Sequence, residues 1–297
     1  GDEQYIPNVL GSGGLPPNDG SIADASRLLY FGCGAGNLEA STVTPNGGSS
    51  GDAQPSNFSG WAYYTIRGTG NATGTIAYKT ATYYFIKEDG SCNIDIVESV
   101  VEDLSNVSYE GLLIIKSTVE PGTTDKLSNK FPNLRLGFVP EFLRERCAIS
   151  DFIVNHDVCI VGVYEKKDFK LVKKSHGYYP KKFVMISPTE AEVCKYFSNI
   201  YNATLITFAN SFFEVCSKLD VSYDNVKNAI KKRNHINGIY LDCNKNFRGF
   251  GGVCLPKDTK AMDTFCKTNG IDVEFFENIL KENQKYIITV PKGMRKE

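Results

Sequence analysis

The amino-acid sequence changes character near residue 86, and this change constrains the fold more than any other feature. Residues 1–85 hold 15 of the 27 glycines and only three basic residues. Short aromatic or β-branched runs separated by glycine-rich turns predict antiparallel strands there, not helices. The predicted strands are Leu28–Phe31, Trp61–Ile66, Thr75–Tyr78 and Thr82–Ile86. Residues 1–85 are therefore predicted to be a β-rich N-terminal segment.

From Ile94 onward, helical and strand patterns alternate, which predicts α/β architecture. Ile94–Leu104 is apolar at helical spacing, and short apolar runs predict strands of a parallel sheet covered on both faces. These runs are Leu112–Ile115, Leu136–Val139 and Val158–Val163.

The C-terminal third is predicted to be mostly helical. Ser187 and Glu190 have capping-box spacing with Pro188 in the first turn, so a long helix is predicted to run from Ser187 to about Leu219. Further helices are predicted at 225–232, 259–268 and 273–286. The predicted domains are 1–85, 86–186 and 187–297.

Charge and cysteine usage narrow the functional classes. The formal net charge is −1 and no basic stripe is evident, so we expect no nucleic-acid partner. No run of 18 apolar residues and no secretion signal occur, so we expect a cytoplasmic protein without a membrane partner. The nine cysteines include no C-x-x-C pair, which favours reduced thiols and no metal site.

The segment from Phe247 to Thr259 places Cys254 between a glycine-rich turn and a predicted helix start. Close glycines allow tight approach to a ligand, and a helix N-terminus with Lys257 nearby favours the thiolate form. A buried structural cysteine in a glycine turn is the alternative. With Lys257 and Asp258 following, however, the string resembles the signature G-F-G-G-x-C-x-x-K-D of the UDP-glucose/GDP-mannose dehydrogenase family.

Four further segments resemble motifs of the same family, in the family's order, between about residues 87 and 286. They are Lys87–Asn93 (KEDGSCN), Lys116–Thr124 (KSTVEPGTT), Pro140–Glu145 (PEFLRE) and Glu190–Ala203 (EAEVCKYFSNIYNA). The resemblance implies a Rossmann-like parallel sheet, of which 86–186 is the remainder, followed by a helical domain carrying Cys254.

The resemblance also implies an activity, the NAD-dependent oxidation of the 6-hydroxyl of a UDP-sugar to a carboxylate. Asp258 and Thr118 would assist deprotonation of the alcohol, Cys254 would form a covalent thioester, and Lys195 and Asn199 would stabilise the oxyanion. Glu145, helped by Glu141, would activate the hydrolytic water. The residues implied to bind the substrate are Lys257, Phe142, Leu143, Arg248, Phe250 and Gly251. A homodimer through the helix at 187–219 is also expected.

The residues themselves leave alternatives open. Lys195 and Asn199 are four positions apart and share a helix face, which is either a ligand site or a solvated surface. Glu141 and Glu145 either belong to a functional loop after a strand or form surface ion pairs with neighbouring arginines. Thr118 could equally be a helix cap.

The N-terminal segment departs from the family pattern. The cofactor turn G-x-G-x-x-G should open a helix, but the nearest approach, Gly32, Gly34 and Gly36, precedes a stretch too rich in Gly, Pro and Ser to be helical. We therefore expect NAD to bind weakly or not at all. Besides a compact working enzyme, two readings remain: a structural or binding protein, such as a surface or virion component, with an inactive dehydrogenase-derived domain, and an artificial or truncated chimera.

Overall fold

The computed structural model describes residues 87, 89–143, 148–252 and 254–288, with 148–150 as backbone only. It also describes the backbone of four strands within 28–64. The strands predicted at Thr75–Tyr78 and Thr82–Ile86 lie outside these residues, as do Gly36 and Glu145.

The strands of the described part of the chain are β1 (Leu28–Gly34), β2 (Ala40–Val43), β3 (Ser49–Ala53), β4 (Trp61–Tyr64), β5 (Leu112–Ile115), β6 (Arg135–Phe138), β7 (Cys159–Gly162) and β8 (Phe183–Ile186). Six of them form one sheet in the order β4-β1-β5-β6-β7-β8. The other two, β2 and β3, form a separate pair.

The pairing directions correct two expectations. β1 is antiparallel to β4, as expected, but it also pairs in parallel with β5, from Leu28↔Leu112 to Phe31↔Ile115. The prediction of a parallel sheet is wrong at one junction, because β6 and β7 meet antiparallel at Phe138↔Gly162. Glycine permits this approach: a Cβ at Gly162 would lie 3.0 Å from the Phe138 carbonyl oxygen.

The helices match the predictions best in the C-terminal third. The long helix and its capping box are confirmed, since Ser187 N–H donates to Glu190 Oε2 at 2.7 Å. The helices are α1 (Asp95–Asn106), α2 (Thr123–Lys130), α3 (Ala148–Ile153), α4 (Lys166–His176), α5 (Pro188–Lys218), α6 (Tyr223–Ile230), α7 (Leu255–Thr268) and α8 (Phe275–Asn283). The sequence did not predict α2, α3, α4 or β8.

Helix α4 also corrects the expectation about basic residues. At 100° per residue its lysines fall within an arc of roughly 120°, and Val172 and His176 are buried on the opposite side. These lysines form a basic stripe along α4. The stripe was not recognised in the sequence because it depends on the helical period, and this helix was not predicted. The lysines are Lys166, Lys167, Lys170, Lys173 and Lys174.

Strand β5 is buried on both faces, as predicted. Leu113 and Ile115 pack in one apolar cluster with α1, whereas Leu112 and Ile114 pack in a second cluster that includes Val172 of α4. This alternation places the sheet between two layers of side chains.

The chain divides into two compact units. The first, here the sheet unit, contains Gly1–Lys87 and Cys92–Lys195, and the second, the helical unit, contains Glu88–Ser91 and Tyr196–Glu297. The helical unit has an apolar cluster of its own around Ala209 and Tyr223. Within the described part of the chain, no helix is both long and apolar enough to cross a bilayer.

Candidate active site

Two predicted site residues of the sheet unit follow the ends of neighbouring strands. Thr118 comes shortly after β5, and Glu141 shortly after β6. Because β5 and β6 are parallel neighbours, their carboxyl ends lie at one edge of the sheet, where α/β folds gather functional groups. Thr118 does not cap α2; Gly122 holds that position, with φ +89°.

Glu141 is bound to two lysines. Its Oε2 lies 3.0 Å from Lys116 Nζ, and its backbone carbonyl accepts a hydrogen bond from Lys195 Nζ. Its Oε1 accepts from the Phe142 N–H at 3.0 Å. Lys195 and Lys116 together therefore fix the loop that carries Glu141, Phe142 and Leu143.

His156 and His176 interact electrostatically with Glu141 and Lys116, and no sequence motif had selected either histidine. Burial, together with the nearby charge of Lys116, lowers the pKa of His176 to about 3. Burial also lowers the pKa of His156, against the opposing effect of Glu141. At neutral pH both imidazoles are therefore uncharged, and the positive charge near Glu141 comes from the lysines.

A buried carboxylate on α5 holds the loop after β5. Glu192 Oε1 accepts hydrogen bonds from the Thr124 N–H at 2.8 Å and the Thr124 hydroxyl at 2.5 Å. Its Oε2 accepts from the Gly122 N–H at 2.6 Å. Burial nevertheless raises the pKa of Glu192 to about 6. Glu192 lies within one of the segments that resemble family motifs, but the resemblance implied no role for it.

In the helical unit, Cys254 is exposed and occupies the N-cap position of α7. The Asp258 N–H donates to the Cys254 carbonyl at 2.9 Å. Asp258 itself is fully buried, and its Oδ2 accepts from Asn199 Nδ2 at 2.5 Å while its Oδ1 lies 2.9 Å from Lys257 Nζ. Asn199 therefore faces the helix that begins at Cys254.

The long helix α5 carries both Lys195 and Asn199, and the two side chains have different surroundings. Tyr196 and Ile200, which directly follow Lys195 and Asn199 along α5, are buried. Lys195 lies one turn before Asn199 and belongs to the sheet unit, where it contacts the Glu141 carbonyl.

Three predicted substrate-binding residues lie in the turn before Cys254: Arg248, Phe250 and Gly251. The Arg248 guanidinium stacks on the rings of Phe213 and Tyr286, at 4.7 Å from each centroid. It also donates to Asn210 Oδ1 at 2.7 Å. These contacts give Arg248 an anchoring role in the turn, whatever its part in binding a ligand.

Of the seven cysteines whose side chains the structure describes, five are buried. Burial raises the pKa of Cys159 to about 12 and also raises the pKa values of Cys243 and Cys266. Among these seven cysteines Cys254 alone is exposed. No cluster of three or more His, Cys, Asp or Glu in the described ranges could hold a metal ion.

Comparison with known proteins decides the family. The model of the NAD binding domain of the UDP-glucose/GDP-mannose dehydrogenase family matches residues 84–178, and that of its central domain matches 189–285. The chain belongs to the UDP-glucose/GDP-mannose dehydrogenase family. Cys254, Asp258 and Asn199 all lie in the central domain of this family, and Thr118 and Glu141 lie in its NAD binding domain.

Similar proteins within the family are named after different nucleotide sugars. A UDP-glucose 6-dehydrogenase of Rickettsia prowazekii is 30% identical over 206 residues, covering 67% of this chain and 46% of the relative. A GDP-mannose 6-dehydrogenase of Pseudomonas syringae is 25% identical over 215 residues, covering 68% and 49%. The chain thus spans about half the length of the curated relatives it matches.

A solved structure shows the same fold. The UDP-glucose dehydrogenase of the hyperthermophilic archaeon Pyrobaculum islandicum superposes with a TM-score of 0.62 at 27% identity, covering 67% of this chain and 48% of that one. The Rossmann-like α/β part and the helical domain predicted from the sequence are therefore confirmed.

Proposed function

We propose that this protein is an NAD-dependent nucleotide-sugar 6-dehydrogenase that oxidises UDP-glucose to UDP-glucuronate through a thioester on Cys254. One observation carries the proposal: an exposed thiol begins α7, beside a buried carboxylate that Asn199 and Lys257 both contact. An accessible thiol at a helix N-terminus is suited to nucleophilic attack.

The first oxidation needs a base at the 6-hydroxyl. Lys257 and Asn199 both contact the Asp258 carboxylate, which receives the alcohol proton through a water with help from Thr118. NAD, when bound, supplies the hydride acceptor for both oxidation steps.

The Cys254 thiolate then attacks the aldehyde carbon, forming a thiohemiacetal that is oxidised to a thioester. Lys195 and Asn199 stabilise the oxyanion of the tetrahedral species, because preorganised donors act strongly where water is excluded. Water activated by Glu145, helped by Glu141, finally hydrolyses the thioester. Lys257, Phe142, Leu143 and the turn from Arg248 to Gly251 hold the sugar nucleotide.

The backbone of β1 fits a cofactor position in part. Gly32 and Gly34 lie at the carboxyl end of β1, which is parallel to β5 and shares its edge of the sheet. Ligands of open α/β sheets bind outside this edge. Together with the match to the NAD binding domain, this favours NAD against the expectation of weak binding from the sequence.

Titration and turnover test the proposal. We expect NAD and UDP-glucose each to bind, as measured by calorimetry, and the mixture to produce NADH and UDP-glucuronate. GDP-mannose in place of UDP-glucose tests the choice of sugar nucleotide. If calorimetry detects no binding of any of these ligands, the result would instead favour a structural or binding protein without activity.

The exposed face of α5 supports a homodimer. Large apolar side chains recur along it at helical spacing, and Phe197 is 72% exposed. An apolar stripe on one long helix can pair with its own copy about a twofold axis. The stripe is Val193, Phe197, Tyr201, Phe208, Phe212 and Val215. We expect F208E to convert a dimer to a monomer in sedimentation experiments, whereas Lys218→Glu, at the end of α5 and outside the stripe, should not.

A further inference from the structure

The turn before Cys254 is held by one side chain from the end of α8. The Phe250 N–H donates to Asn283 Oδ1 at 2.8 Å, and Asn283 Nδ2 donates to the Phe250 carbonyl at 2.9 Å. Both residues are buried, with 2% and 6% of their surface exposed. A planar carboxamide thus satisfies both backbone polar groups of one residue, as a neighbouring strand would.

The residue before Phe250 must be glycine for this contact to form. A Cβ at Gly249 would lie 2.8 Å from Asn283 Oδ1 and 3.4 Å from the Asn283 carbonyl oxygen. Its backbone φ lies outside the positive range, so close approach is the reason for the glycine, not its conformational freedom. Gly249 and Asn283 therefore form one contact.

Phe250 lies only four residues before Cys254, and Gly252 between them has φ +78°. Only residues 251–253 separate Phe250 from Cys254. Two of these three residues are glycines, which restrict the backbone least. The contact that fixes Phe250 therefore limits the paths that this flexible turn can take into Cys254.

We propose that Asn283 is a positioning residue: by pairing with Phe250 it fixes the turn that presents the Cys254 thiol at the start of α7. The inference rests on the proposed function only in taking Cys254 as the nucleophile. Asn283 acts through Phe250 and contributes no group to the reaction.

Loss of Asn283 would leave the buried N–H and carbonyl of Phe250 without their partners, and the turn would move to recover hydrogen bonds. Helix α7 would remain, because its first backbone bond runs from the Asp258 N–H to the Cys254 carbonyl. The turn that leads into Cys254 would then no longer hold the thiol in one position.

Alkylation of the intact chain tests this role without any substrate. Brief treatment with iodoacetamide at pH 7 and mass spectrometry give the labelling rate of Cys254 relative to Cys194, a partly exposed thiol on α5. We expect Asn283→Ala to slow Cys254 at least about fivefold by this ratio. Asn283→Asp keeps an acceptor for the Phe250 N–H but loses the donor, so an intermediate rate is expected.

Asn278→Ala is the matched control, because Asn278 is an exposed asparagine on the same helix; its ratio should equal that of the wild type. A Cys254 ratio that changes less than about twofold in the Asn283 variants would overturn the proposal. If Asn283→Ala does not fold, which thermal unfolding reports, Asn283→Asp decides.

Different results would contradict the proposed function and the positioning role of Asn283. A wild-type protein that does not oxidise UDP-glucose would contradict the proposed function and leave the labelling ratios as they are. A working enzyme whose Asn283 variants label normally would contradict the positioning role alone.

Discussion

In the sheet unit, the predicted catalytic groups are bound to one another: Lys195 donates to the Glu141 carbonyl, and the Glu141 carboxylate pairs with Lys116. In the helical unit, Cys254 is exposed, and the carboxylate of Asp258 beside it is buried. The sheet unit uses its charges to hold a loop, whereas the helical unit keeps a thiol accessible. Substitutions in the helical unit should therefore act directly on reactivity, and those in the sheet unit first on the loop.

The largest effect is expected in the helical unit. Cys254→Ser should lower turnover of UDP-glucose by at least about 10³-fold, because the oxygen nucleophile is far weaker than a thiolate and any ester would hydrolyse slowly. NADH absorbance gives the rate, and mass spectrometry detects an ester. Cys194→Ser is the control and should retain the wild-type rate. Turnover within about tenfold of the wild type would exclude Cys254 as the nucleophile.

A smaller effect is expected from Lys195 in the sheet unit. Lys195→Ala should lower kcat by about 10²- to 10³-fold, since one donor to the oxyanion is lost. Lys116→Ala removes the other lysine from Glu141 but leaves the ammonium of Lys195 on α5. We expect Lys116→Ala to lower kcat much less. Equal losses in steady-state kinetics would show that both lysines act by holding the Glu141 loop.

The smallest effect concerns the pH dependence of stability in the sheet unit. Since the pKa of Glu192 is raised from 4.5 to about 6, its contribution is fully present below pH 4.5 and is lost as the pH rises through 6. At about 1.4 kcal/mol per pH unit, the free energy of unfolding should fall by about 2 kcal/mol over this range relative to Glu192→Gln. Urea unfolding at pH 4.5 and pH 7 measures the difference.

Glu190 provides a control of opposite sign on the same helix. Hydrogen bonds from Ser187 lower the pKa of Glu190, so its contribution is present above pH 4.5 and is lost as the pH falls. Glu190→Gln should therefore remove stability at pH 7 and not at low pH. A Glu192→Gln variant with the same pH dependence as the wild type would show that the buried carboxylate is not the titrating group.

The sequence anticipated the parts of the fold that have strong local signals. Strand β5 was predicted at its observed bounds because a short, wholly apolar run has few alternatives. The start of α5 was found from its capping box, which is a local hydrogen-bond pattern. Helix α4 was missed because its buried face includes Asp168, Ser175 and His176, which an apolar pattern does not count.

The residues of the candidate site likewise fall into those that sequence motifs selected and those that only the structure revealed. The motifs selected Cys254, Asp258 and Asn199, and the structure brings these three together at the start of α7. The division into domains at 85 and 186 and the individual site roles stay predictions. Glu145 and Gly36 lie outside the described residues. Lys116, Glu192 and Asn283 received no predicted role, since each acts through a backbone or side-chain group distant in sequence.

The sequence by itself determined the family, the candidate nucleophile and the helix that carries Asn199, because these depend on residue types at fixed spacings. Only the tertiary structure decided that β6 meets β7 antiparallel, that Glu141 is shared by two lysines, and that Asn283 holds Phe250. Such contacts join residues separated by many positions. They are set by which backbones can approach and which buried polar groups must be satisfied, and neither has a local pattern in the sequence.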